Sequence, residues 1–215
     1  MDPRKQRTIE SLVRAGEEIF AEQGVEETTV EEIAGRAGVA VGSIYNHFGS
    51  KAGLHAAVVE RALGVDRNYM DRAYTTDRTP IEQLYAAAEE YLEFYLAYPE
   101  YFRMLAFPGA PGQYAAGQDL ADRLASAVAQ QNRRMVEALR AGIAAAVIRP
   151  VDPDAVATVL WACWNGVISL GWRPDSLGRD ESELRSLLRT ATDLVARGLL
   201  PRGDDATHDP GSPER

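Results

Sequence analysis

Between Val41 and Lys51 the chain gathers a hydroxyl, a phenol, a carboxamide, an imidazole and an ammonium, carried by Ser43, Tyr45, Asn46, His47 and Lys51. Such groups give and take hydrogen bonds, which is the chemistry that reads base edges and holds phosphates. Catalytic alternatives are sparse. The three histidines are His47, His55 and His208, and none lies in the aromatic stretch described below. Cys163 has no sequence neighbour able to activate it, and Glu89, Glu90 and Glu93 are spaced like an ordinary polar helix face. No catalytic residue, metal site or cofactor is expected, and an α-helical enzyme acting on an apolar substrate is the weaker functional reading.

The elements that position the polar cluster follow from local signals. Thr29 can accept an orphan backbone N–H, and Glu32 three residues on completes a capping box, so a helix starts near Val30. Ile33, Ala34 and Ala37 share one face of it. Gly38 supplies the sharp turn, and Val39 can plug the angle between two helices. A second short helix is expected from Val41 to Phe48, with Ile44 and Phe48 turned inward and Gly49 as its stop. Its remaining positions, Val41, Gly42, Ser43, Tyr45, Asn46 and His47, are small or polar and form an exposed face. Two short helices joined by such a turn make a helix-turn-helix, whose second helix enters the major groove.

The run TTVEEIA, AGV, GSIYNHF, SKAGL from Thr28 to Leu54 resembles the N-terminal DNA-binding domain of the TetR (tetracycline repressor) family, departing from it at Ala40, where many relatives carry serine or threonine. The resemblance implies an all-α protein: a three-helix DNA-binding domain, then a helical bundle for ligand binding and dimerisation. It implies that Thr29, Tyr45, His47 and Lys51 hold phosphates, while Val41, Ser43 and Asn46 face base edges and Gly42 lets the backbone approach. It implies a homodimer formed through the last two main helices, a palindromic DNA operator and a small-molecule effector, with repression the commoner outcome. A helix-turn-helix dimer regulated by a protein partner, or by nothing, is the alternative.

Composition constrains these readings. The chain has 215 residues, 46% hydrophobic, with one cysteine, which points to a reducing cytoplasm. The polar opening from Asp2 to Thr8 does not read as a signal peptide. Formal net charge is -9, and residues 1–55 hold six Lys and Arg against nine Asp and Glu. Phosphate neutralisation drives much of DNA affinity, so weak non-specific binding and a dependence on specific contacts and pairing are expected.

Before and after the motif the chain reads as helices. Arg4 to Gln23 carries Ile9, Leu12, Val13, Gly16, Ile19 and Phe20 on one stripe. A fourth helix, capped by Ser50, is expected to run to Ala73 with Leu54, Ala57, Val58 and Arg61 aligned and His55 exposed or half-packed. The expected division is a DNA-binding domain at 1–50, a linking helix and hinge at 51–78, a ligand-binding and dimerisation domain at 79–201, and a disordered tail at 202–215. Thr79-Pro80-Ile81-Glu82 opens the third part with a cap and a helix-starting proline.

Half of the Tyr and Phe residues fall between Tyr85 and Phe102. Buried hydroxyls need partners, so this density suggests a pocket, and Tyr91, Phe94, Tyr95, Tyr98, Phe102, Phe107, Trp161, Asn165 and Ile168 are its candidate lining. Residues 108–117, rich in Pro and Gly, read as a loop or lid before a long helix over 118–147. Ala155 to Trp172 is uncharged for 18 residues, yet its Thr, Asn, Ser and Gly content favours a helix buried between protein surfaces over a membrane span. Its stripe and that of the last helix offer Val156, Leu160, Cys163, Val167, Leu187, Leu188, Leu194 and Val195 as the candidate dimer interface.

Overall fold

The computed structural model describes residues 2–106 and 117–201, and every regular element in them is helical. In chain order these are α1 (Pro3–Gln23), α2 (Val30–Ala37), α3 (Gly42–Phe48), α4 (Lys51–Ala73), α5 (Pro80–Ala97), α6 (Pro99–Ala106), α7 (Gly117–Ala144), α8 (Pro153–Ile168) and α9 (Glu181–Leu199), with a 3₁₀ turn over Ser169–Trp172. Gly117 opens α7. The rest of the expected lid, with Phe107 and the tail at 202–215, lies outside the described residues.

Two compact units emerge. One comprises the chain up to Tyr69 together with Glu93–Gln130; the other comprises Met70–Leu92 and the described residues from Gln131 onward.

In the first unit local chemistry sets the helix ends. Asp2 accepts the Arg4 N–H at 2.9 Å and Pro3 takes the first position of α1. The capping box of α2 is complete: Glu32 N donates to Thr29 Oγ1 at 3.3 Å, and Thr29 N donates to Glu32 Oε2 at 2.8 Å. Gly38 ends α2 at φ 68, a shape a Cβ would strain. With Ala40 in place of a capping hydroxyl, α3 has no side-chain cap and starts at Gly42 rather than Val41. Tight turns, Ser43 N to Ala40 O at 2.9 Å and Ile44 N to Val41 O at 3.0 Å, satisfy its first donors instead.

Leu12, Ile19, Phe20, Ile33, Ile44, Leu54 and Val58 form the core beneath this motif. Leu54 of α4 packs at Gly16, where a Cβ would stand 3.4 Å from Leu54 Cδ2, an ordinary contact distance. The buried stripe of α4 is broader than its expected one and includes His55, Val59 and Ala62. Arg61 lies outside it, exposed and paired with Glu10 at 3.1 Å. His55 is 3% exposed, its ring edge-on to Phe20 with centroids 5.3 Å apart, which corrects the expectation of an exposed or half-packed imidazole.

In the second unit Thr79 and Glu82 box the start of α5, Asp152 accepts the N–H groups of Asp154 and Ala155, and Asp180 with Glu183 boxes α9. Helix α7 stops at Ala144, three residues before its expected end, because Ala146 turns left-handed at φ 55 and Ile148 folds back to bond Gly142 O at 3.0 Å. A Cβ at Gly142 would come 2.5 Å from Ile148 Cδ1, so a larger residue there obliges the Ile148 side chain to shift. By length and composition Pro153–Trp172 could cross a membrane. In the fold, α8 turns Ala157, Leu160, Trp164 and Ile168 inward at spacings of three and four.

Candidate functional site

Helix α3 buries Ile44 completely and leaves Tyr45, at 53% exposure, and Asn46 open to solvent. Gly42 is exposed beside them, while Val41, Ser43 and His47 are half-buried. His47 sits edge-on to Phe48 at 6.4 Å between ring centroids, and Phe48 is itself half-buried, short of the inward position expected for it. One buried anchor therefore supports a polar face, and Gly38 and Gly49, both at positive φ, bring the chain into and out of the motif.

Two cations near the motif, Arg36 and Lys51, are engaged within the protein. Arg36 forms a forked pair with Glu22 at 2.8 and 2.9 Å and reaches Glu18 at 3.5 Å. Lys51 directs Nζ at three carbonyls of the α1–α2 loop: Val25 at 2.8 Å, Glu26 at 3.2 Å and Thr28 at 2.8 Å. Thr29 donates its hydroxyl to Glu32 Oε2 at 2.8 Å. Hydrogen bonds from the backbone and then the hydroxyl of Thr29 hold the Glu32 carboxyl below its usual range, so a negative charge stands beside the hydroxyl. Arg4, Lys5 and Arg7 lie exposed along the first turns of α1. Burial, and then the charge of Lys51, pushes the His55 imidazole down to about 4, so it is neutral at pH 7.

The aromatic candidates divide between the units. In the first unit Phe94, Tyr95 and Phe102 are buried against one another, with Phe94 6.2 Å and Tyr95 5.4 Å from the Phe102 ring. Tyr98 is partly exposed and stacks on Tyr101 at 5.5 Å. Tyr101 gives its hydroxyl to Glu17 at 2.5 Å, and burial, then that carboxylate, raises the phenol well above its ordinary range.

In the second unit Tyr91 donates to Asn165 Oδ1 at 2.8 Å, both side chains buried, with Ile168 buried and Trp161 half-buried on the same helix as Asn165. Tyr85 likewise finds Asp193 at 2.9 Å. The hydroxyls that suggested a ligand thus have protein partners in three cases. Two members of the buried polar set were missed in the sequence: Trp164, whose ring lies 6.2 Å from that of Tyr91, and Thr192, which accepts the Trp164 Nε1–H at 3.0 Å. The spacing 157, 160, 164, 168 was the available signal.

The interface candidates also divide. Leu160 and Leu188 are buried within the chain and have little area left to offer. Val156, Cys163, Val167 and Val195 are half-buried, while Leu187 and Leu194 are exposed, the latter at 69%. Val159, one turn from Cys163, adds a further exposed apolar side chain at 57%.

Comparison with known proteins places these features in a family. Residues 12–58 match the family model for bacterial regulatory proteins of the tetR family, and residues 84–195 match that of the tetracyclin repressor-like C-terminal domain. The transposon Tn10 TetC protein of Escherichia coli is 34% identical over 91 residues, an alignment spanning 42% of this chain and only 44% of TetC. The transcriptional regulator AcuR of Cereibacter sphaeroides is 30% identical over 175 residues, covering 78% of this chain and 79% of AcuR. The solved SmeT–triclosan complex shares the fold with a TM-score of 0.71 at 23% identity, covering 97% of this chain and 99% of SmeT.

Proposed function

Because this chain belongs to the TetR family and is a transcriptional regulator, we propose that it acts as a homodimeric repressor on a palindromic operator and lets go when a small apolar or aromatic molecule binds. The observation that carries the DNA half is the open face of α3, where Tyr45 and Asn46 project from a helix anchored by fully buried Ile44. Asn46 and Ser43 read base edges, with Val41 and Gly42 allowing close approach. Tyr45 and His47 hold backbone phosphates, and the exposed cations of α1 add the electrostatic term that Arg36 does not supply. Thr29 contributes through its place at the start of α2 more than through its hydroxyl, which Glu32 engages.

Pairing supplies the rest. The apolar side chains that α8 and α9 leave exposed, Val159, Leu187 and Leu194, support a two-fold interface with another copy, flanked by half-buried Val156, Cys163, Val167 and Val195. A dimer of this kind reads half-sites roughly 34 Å apart. The effector enters the second unit beside Trp161 and Ile168, with the Tyr91–Asn165 pair as its polar anchor. That SmeT forms a complex with triclosan supports a small aromatic ligand here. The protein works in the cytoplasm, where its operator is.

Gel-shift titration on a fragment from the gene's own upstream region tests the DNA half, and the absence of any retarded band at low salt overturns it. Tyr45→Ala weakens binding to all duplexes, whereas Asn46→Ala relaxes preference at one base position by about 1–3 kcal/mol. One observation favours regulation without a ligand: the hydroxyls of Tyr85, Tyr91 and Tyr101 already have protein partners. A thermal-shift panel of small aromatics separates the two, since a specific ligand raises Tm.

A further inference from the structure

The first turn of α4 is joined to the helix-turn-helix at two points, and neither contact involves DNA. Lys51 Nζ has three N–H groups and finds three backbone carbonyls, Val25, Glu26 and Thr28, at 2.8 to 3.2 Å. Those carbonyls belong to the six-residue loop between α1 and α2, which has no helix of its own to satisfy them. An ammonium is a compact charge with three donors and no acceptor, so three converging carbonyls use its full hydrogen-bonding capacity. Two residues on, Gly53 packs beneath Phe48 at the end of α3, and a Cβ at this position would overlap the Phe48 carbonyl oxygen.

On the reading that this protein binds DNA, we propose that Lys51 is a positioning residue rather than a phosphate anchor. It clamps the α1–α2 loop to the first turn of α4, so that α2, α3 and that turn move as one body. The angle of α3 on DNA is then set by α4 beyond Gly53 and not by the Gly49–Ser50 junction. Turning Nζ outward to a phosphate strips three carbonyls of their shared donor, a cost that a screened surface phosphate contact does not repay.

The test uses the full chain, with Lys51→Met and the charge-retaining Lys51→Arg, whose planar guanidinium cannot aim three N–H groups at one converging set of carbonyls. Without DNA, both variants lower Tm by about 4–8 °C. Both also speed amide exchange across residues 25–29. With the upstream fragment as probe, well below Tm, both bind about tenfold more weakly, and the slope of log affinity against log salt does not change.

A phosphate anchor gives the opposite result: unchanged Tm and exchange in Lys51→Met, a slope smaller by about one, and near-normal Lys51→Arg. A purely stabilising role lowers Tm but leaves affinity well below Tm untouched, and this also overturns the proposal. If Lys51→Met does not fold, Lys51→Arg carries the same three measurements. If the wild type binds no DNA, the DNA-binding reading fails, while the Tm and exchange arms still decide the clamp.

Discussion

Helices α3 and α8 are both nearly free of charge, with His47 alone in one and Asp154 alone in the other, yet they divide their surfaces in opposite ways. In α3 one side chain, Ile44, is fully buried, Tyr45 and Asn46 beside it face solvent, and Ser43 and His47 are half-buried. In α8 five side chains are buried, two of them polar-bearing: Trp164 bonded to Thr192 and Asn165 bonded to Tyr91. A helix that reads another molecule needs only enough core to hold its angle, whereas one that organises a bundle is held from its inner side by shape and hydrogen bonds together. Removing the inner anchor should therefore cost more in α8 than in α3.

The largest expected effect tests that inequality. Trp164→Ala removes the largest fully buried side chain and costs about 3–5 kcal/mol, while Ile44→Ala costs about 2–4 kcal/mol. Urea unfolding of both variants decides the order. Equal losses would mean that the small core beneath α3 is as demanding as the bundle. Trp164→Phe keeps most of the ring and loses the Nε1–H bond to Thr192, a change of about 1–2 kcal/mol.

The two helices also differed in how readily the sequence disclosed them. Everything that shapes the α2–α3 turn is local: Thr29 with Glu32, Gly38, Gly49 and the missing cap at Ala40 act within a few residues, and the capping box stands where its spacing placed it. The face of α8 is a tertiary choice. An uncharged run with apolar residues on several sides has no single stripe, so the sequence pointed to Trp161, whereas it is Trp164 that turns inward and finds Thr192 of α9 as its partner. His55 was misread for a related reason: its neighbours 59, 62 and 66 continue a buried stripe, but a polar ring in that register looks like a surface residue until Phe20 covers it. The aromatic cluster was legible as buried. That its hydroxyls find Glu17, Asp193 and Asn165 was not, because those partners are more than 70 residues away in the chain.

A pH titration comes next in size and probes the first unit alone. Buried His55 has its imidazole pushed down to about 4 from an ordinary 6.5, so the unfolded chain takes up a proton at a higher pH than the folded one. Stability from this group is whole above pH 6.5 and is lost as pH falls toward 4, by about 2 kcal/mol at pH 5. The Tm difference between pH 7.5 and pH 5 should shrink in His55→Phe. An undiminished pH dependence in that variant would assign the effect to other groups. Smaller again is the cap: Thr29→Ala loses the Glu32 N–H bond and costs about 1 kcal/mol, read as a lower urea midpoint.

The smallest effect on the protomer's own fold sharpens the comparison most. Tyr45 on α3 and Leu194 on α9 are both exposed, at 53% and 69%, so Tyr45→Ala and Leu194→Ser should each change the protomer's intrinsic stability by less than about 0.5 kcal/mol. Their consequences separate once a partner is present. For Tyr45→Ala, Tm without DNA matches wild type at every protein concentration, and only duplex binding weakens. For Leu194→Ser, a dimer that pairs through this face loses the stabilisation that mass action lends it, so Tm falls at low protein concentration and recovers as concentration rises. Sedimentation velocity across the same range should show the monomer fraction rising in step. If Leu194→Ser leaves both Tm and sedimentation unchanged, that side chain is an isolated apolar residue of the kind any protein surface carries, and the pairing face has to be sought around Val159 and Leu187 instead.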